Sequence, residues 1–108
     1  MSILLTDQRK IKTVNLPSFP EAEIEMYECM LYSQIAELDR CSTDNDRGIE
    51  MLRLLIKSWP FVDTEGTVLE VNKENLGKLP VIDVIAMTNV AEEAFDFLES
   101  QKGKSLKK

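Results

Sequence analysis

From Lys10 to Leu16 the apolar side chains fall at Ile11, Val14 and Leu16, near a two-residue period and rich in β-branched residues. This spacing predicts a strand that stops at Pro17. Pro17-Ser18-Phe19-Pro20 follows as a rigid, turn-like connection. From Glu21 to Glu28, Ala22, Ile24 and Met26 alternate with Glu23, Glu25 and Glu28. A second strand, closing an antiparallel hairpin, is the reading this alternation favours. A helix from Pro20 through Met30 competes with it, because Glu, Ala and Met all favour helix.

Beyond Met30 the period changes. Leu31, Ile35 and Leu38 recur at helical spacing and predict a short amphipathic helix from about Met30 to Arg40. The polar run Ser42 to Asp46 supplies N-cap candidates for a second helix starting near Asp44 to Asp46. Ile49, Leu52, Ile56 and Trp59 share one face of that helix, widened by Met51, Leu54 and Leu55, which marks it as central and largely buried. Pro60 ends it, since proline lacks the N–H and disfavours helical geometry in the residue before it.

Phe61-Val62 and Thr67-Val68-Leu69 then flank Asp63-Thr64-Glu65-Gly66, a small hairpin or loop in which Gly66 supplies the positive φ of a tight turn. Asn72 is suited to cap a single helical turn through Leu76, with Gly77 at its end. Pro80 fits the first position of a last helix reaching about Gln101. On that helix Val81, Val84 or Ile85, Thr88, Ala91, Phe95 and Leu98 line one side, and Asp83, Asn89, Glu92, Glu93 and Glu99 lie largely opposite. The sum is an α+β chain: an N-terminal β-hairpin packed with three to four helices and a small central hairpin or loop.

The 108 residues suit one domain over 1–101, with 102–108 as a basic tail expected to be disordered. No apolar stretch approaches the ~20 residues of a membrane span, and the N-terminus is unlike a signal peptide, so a cytoplasmic protein is expected. Cys29 and Cys41 match no metal or redox spacing and read as reduced thiols, although a disulfide between them is geometrically allowed. A net charge of -6 opposes binding to nucleic acid or anionic lipid.

Candidate chemistry is sparse. The sequence contains no histidine, the commonest general acid–base residue and metal ligand. Gly48, Gly66, Gly77 and Gly103 are scattered and make no phosphate-binding loop. Asp44 to Gly48 lacks the spacing and closing glutamate of a calcium loop, and the Glu21 to Glu28 carboxylates read as the solvent face of a strand. No catalytic, cofactor-binding or metal-binding residue is assigned, and no cofactor. Trp59 and Phe61 read as plugs of the core, with exposure as a binding anchor the alternative.

The segment Ser58-Trp59-Pro60-Phe61-Val62-Asp63-Thr64-Glu65-Gly66, with Leu69 to Leu76 and Leu79-Pro80, resembles the tail assembly chaperones of long-tailed bacteriophages and related prophage elements. The strand leading to Leu16-Pro17-Ser18-Phe19-Pro20 is similar to that family's start. Two positions depart from the pattern: Pro60, where a polar residue is common, and Asn72, where Ser or Thr is common. The resemblance implies a non-enzymatic protein that binds the tape measure protein, keeps its long apolar helices soluble and helps recruit tail tube protein. It also raises a frameshifted longer form. Within the motif Trp59, Phe61, Gly66, Asn72 and Pro80 read as structural. The client surface is expected on the last helix at Ile82, Met87 and Phe97, with completion of the core or a homo-oligomer contact as the alternative. A small structural tail protein kept in the virion, or a regulatory protein that binds a host protein, are the other functions considered.

Overall fold

A computed structural model describes the backbone of residues 1–106 and the side chains of residues 1–94. The fold is α+β. Strands β1 (Ile11–Leu16) and β2 (Phe19–Tyr27) form the expected antiparallel hairpin, with Ile11 opposite Tyr27 and Leu16 opposite Phe19. Val14, Leu16, Ile24 and Met26 face inward and are buried, while Glu23 is exposed. The two-residue period therefore prevails over the helical propensity of Glu, Ala and Met: one face of the sheet must be covered, and only the strand register puts Ile24 and Met26 on it together.

Helix α1 (Tyr32–Asp39) is short and buries Leu38. Gln34 organises its start, accepting the Leu31 backbone N–H at 2.9 Å. Helix α2 (Asp44–Leu55) is capped by Thr43, whose hydroxyl accepts the Asp46 N–H at 3.1 Å, and Asp44 and Asp46 stand in its first turn, where carboxylates complement the helix dipole. Arg53 joins the two helices by pairing with Glu37 at 2.9 Å and with Glu50 in its own helix.

The central helix is shorter than its periodicity predicts. It ends at Leu55, and Ile56–Ser58 turns into strand β3, which adds to β2 with Ile56 opposite Met26 and Ser58 opposite Glu25. Ile56 and Trp59 are buried as expected, but from extended chain and not from a helix face. Pairing with β2 satisfies the backbone of a β-branched residue and overrides the local helical spacing. Pro60 thus follows a strand segment and does not terminate a helix.

The small hairpin forms as expected. Val62 bridges Val68, Asp63 N–H donates to the Thr67 carbonyl at 2.9 Å, and Gly66 takes φ +84°. Helix α3 (Lys73–Leu76) is a single turn capped by Asn72, whose side chain accepts the Asn75 N–H at 2.9 Å. Gly77 at its end keeps right-handed geometry, so no left-handed cap is made there.

Helix α4 (Val81–Leu106) runs along the sheet. Pro80 precedes its first residue and its carbonyl accepts the Asp83 and Val84 N–H groups. The helix passes the expected end at Gln101, and the stretch from residue 102, expected as a disordered tail, carries helical backbone to Leu106. The buried face matches the expected one only in part: Ala91 is buried and Val84 packs against the core as expected, but Asp83, Met87 and Ala94 join them, whereas Val81 and Ile85 are exposed; the side chains of Phe95 and Leu98 lie outside the described residues. Helix α4 packs against both α2 and β1: Ala91 lines a space shared with Asp44 and Met51 of α2, and Ala94 one shared with Lys12 of β1, so the buried face is set by two neighbours at once. Among the described residues no helix is long and apolar enough to cross a membrane.

Candidate protein-binding surface

The turn between β1 and β2, the start of α4 and the central hairpin meet at one end of the molecule. Ser18 N–H donates to Asp83 Oδ1 at 2.9 Å, fixing the turn against the first turn of α4. Asp83 is fully buried, and its second oxygen has no hydrogen-bond partner among the described residues. Sequence reading placed Asp83 on the polar side of the helix. Its role depends on a backbone N–H 65 positions away, which no local pattern encodes.

Beside that latch three aromatic rings stack edge to face. Phe19 meets Phe61 with centroids 5.2 Å apart at 71°, and Phe61 meets Trp59 at 5.2 Å and 83°. Such offset pairs contribute about 0.5–1.5 kcal/mol beyond the area they bury. The indole N–H of Trp59 donates to the Leu69 carbonyl at 2.7 Å, and Leu69 N–H donates to the Phe61 carbonyl at 2.9 Å. Trp59 therefore braces the central hairpin from beneath while holding Phe61 in place above.

The consequence is an open groove of about 560 Å³. Phe19, Pro20 and Ala22 form one wall, Pro60 and Phe61 the other, and Ser18 and Glu21 are its polar members. Both prolines withhold a backbone donor, which leaves the walls largely apolar. A groove of this size and lining is shaped for an aliphatic or aromatic side chain.

The expected client residues separate. Ile82 is 54% exposed and stands with Val81 and Ile85 on the outer side of α4. Met87 is fully buried, so it belongs to the core and offers no surface to a client. The expectation for Met87 as a client residue is thus corrected: it completes the core, together with Ala91 and Ala94 of the same helix. The Phe97 side chain lies outside the described residues. Trp59 is in the core as read, and Phe61 is half-buried with one side lining the groove. Phe19 and Pro20 were read only as a turn; their signal was a phenylalanine set between prolines, a costly place for an aromatic ring that packs on nothing.

A third apolar element precedes β1. Ile3, Leu4 and Leu5 are 82%, 83% and 93% exposed. They hang from a firm anchor at Arg9, whose guanidinium lies 3.6 Å from the Tyr27 ring centroid. It also donates to the Cys29 carbonyl at 3.2 Å, to Gln34 Oε1 at 3.1 Å and to both oxygens of Asp7. The Arg9 side chain holds the Asp7 carboxyl down to about 2, helped by the Arg9 backbone N–H. Asp7 in turn raises the Arg9 pKa. Cys29 and Cys41 are both free thiols, so the allowed disulfide is not formed.

No protein-family model, curated protein or solved structure matches this chain.

Proposed function

We propose that this chain is a non-enzymatic tail assembly chaperone of a long-tailed phage or prophage, which binds the tape measure protein in the bacterial cytoplasm and keeps it soluble. The observation that carries this reading is the groove between Phe19 and Phe61. Phe61 and the Trp59 that braces it belong to the Ser58 to Gly66 segment in which the resemblance lies, and Phe19 belongs to the Leu16 to Pro20 segment that shares it. Phe19 and Phe61, one on each wall of the groove, thus both fall within the resembling segments, although Pro60 beside Phe61 is a position that departs from the pattern.

The physics suits a client made of long amphipathic helices. An apolar residue on such a helix enters the groove and leaves water, which stabilises the complex by roughly 1.5–3 kcal/mol per fully buried side chain. A net charge of -6 then gives the complex a self-repelling surface that opposes aggregation. Recruitment of tail tube protein is the second half of the proposal, since a client coated with chaperone presents many copies of one surface for subunits to meet.

Co-expression tests the reading. A tape measure protein co-expressed as the client is expected in the soluble fraction only when the chain is present, and Phe19→Asp is expected to abolish that effect while the chain itself stays folded. A client equally insoluble with and without the chain contradicts the proposal.

A further inference from the structure

The exposed apolar triplet ahead of β1 and the exposed apolar strip on α4 lie at opposite ends of the same molecule. Ser18, in the β1–β2 turn, touches Asp83 at the start of α4. At the other end of β1, Lys12 pairs with Glu93 at 3.6 Å. The helix therefore runs antiparallel to β1, and Ile82 lies about 16 Å of helix rise from Glu93. Arg9 lies farther still from the turn, because the Glu28 N–H to Lys10 carbonyl bond of 2.9 Å continues the hairpin past Ile11.

From that anchor the segment can extend at most about 14 Å to Leu5 and about 17 Å to Leu4. Arg9 itself lies beyond Lys12, so these leucines fall short of the Ile82 of their own chain, and Ile3 and Ile85, the pair nearest to meeting, are both exposed, so the segment is not seated on its own helix. The fold holds the base of the segment with a ring contact and several hydrogen bonds, then leaves its apolar end in water.

We infer that the segment of one copy docks through Ile3, Leu4 and Leu5 on the Val81, Ile82 and Ile85 strip of a second copy, and that the exchange is reciprocal, giving a two-fold dimer. An antiparallel, side-by-side arrangement brings each segment to the other copy's strip, as a two-fold axis requires. Area decides between one contact and two. Covering a Val, Leu or Ile side chain removes on the order of 100 Å² of apolar surface from water, so the six side chains of one contact supply about 600 Å². That is half of what a stable interface needs, and the reciprocal pair reaches its lower bound of about 1,200 Å². A single head-to-tail contact, which would build rings or filaments, is too small to persist alone.

This dimer involves no client, so its test is independent of the proposed function. Sedimentation of the full chain at micromolar concentration is expected to give twice its 12.3 kDa mass. Two variants are compared with it: Leu4→Asp with Leu5→Asp, and Ile82→Asp. The first changes only exposed residues ahead of the sheet, and the second puts a carboxylate in the first turn of a helix, where it is tolerated. Each is expected to sediment as a monomer, raising the dissociation constant at least about a hundredfold, with an unchanged circular dichroism spectrum. A monomeric wild-type chain, or either variant staying dimeric, would overturn the inference.

Discussion

Replacing Trp59 with phenylalanine tests whether the indole is the brace that joins the central hairpin to the groove. The six-membered ring is kept, and with it the edge contact to Phe61, but the pyrrole portion and its N–H are lost. The 2.7 Å bond to the Leu69 carbonyl contributes about 1 kcal/mol net, and Leu69 is only half-buried, so water replaces part of it. The missing ring atoms, removed from a site that is 95% enclosed, add roughly 1–2 kcal/mol in lost transfer energy and residual cavity. The sum is about 2–3 kcal/mol, which at the usual urea slope of a small domain lowers the unfolding midpoint by roughly 1–2 M. Urea unfolding followed by far-ultraviolet circular dichroism measures this, since the substitution removes the chain's single tryptophan as a fluorophore. The amide of Leu69, bonded to the Phe61 carbonyl, is expected to exchange with solvent faster in the variant. A midpoint shift below about 0.3 M with an unchanged slope would refute the reasoning, because it would mean the hairpin holds its place without the indole.

Other consequences follow from single contacts. A Cβ added at Gly48, within α2, meets nothing within 4 Å, so Gly48→Ala is expected to stabilise the protein by about 0.5–1 kcal/mol in the same unfolding assay; destabilisation would show that the space is needed. Asp7 has a folded pKa of about 2, below its ordinary 3.8, so the Asp7–Arg9 pair contributes fully above pH 4 and is lost only as the pH falls through about 2. A carboxyl titration by nuclear magnetic resonance should give that low midpoint, and Arg9→Gln should return it towards 3.8. Asp83→Ala removes the acceptor of the Ser18 N–H, and that amide is expected to exchange at least about tenfold faster while the β1–β2 ladder keeps its protection.

Features whose chemistry is local were legible in the sequence. The positive φ at Gly66 and the Asn72 cap each depend on neighbours within a few residues. The hairpin was legible because alternation at Ile24 and Met26 encodes a face directly. The end of α2 was not. Ile56 and Trp59 satisfy helical spacing, and only the presence of β2 as a partner makes extended chain the better state. The phase of α4 was legible only in part for the same reason: Val81, Ile85 and Met87 are all apolar, and which are buried depends on where α2 and β1 pack against the helix. The groove is a meeting of Phe19 with Phe61, distant in sequence, and the Arg9 anchor depends on Tyr27, Cys29 and Gln34 arriving at one point. Neither has a linear signature.

The central claim is that a client enters the groove between Phe19 and Phe61. Hydrogen–deuterium exchange of the chain, free and mixed with a tape measure protein as the proposed client, tests it most directly. The account predicts new protection concentrated at residues 18–22 and 60–62, with residues 44–55 of α2 unchanged. Protection confined to other parts of the surface, or no change at client concentrations that saturate the chain, would contradict it.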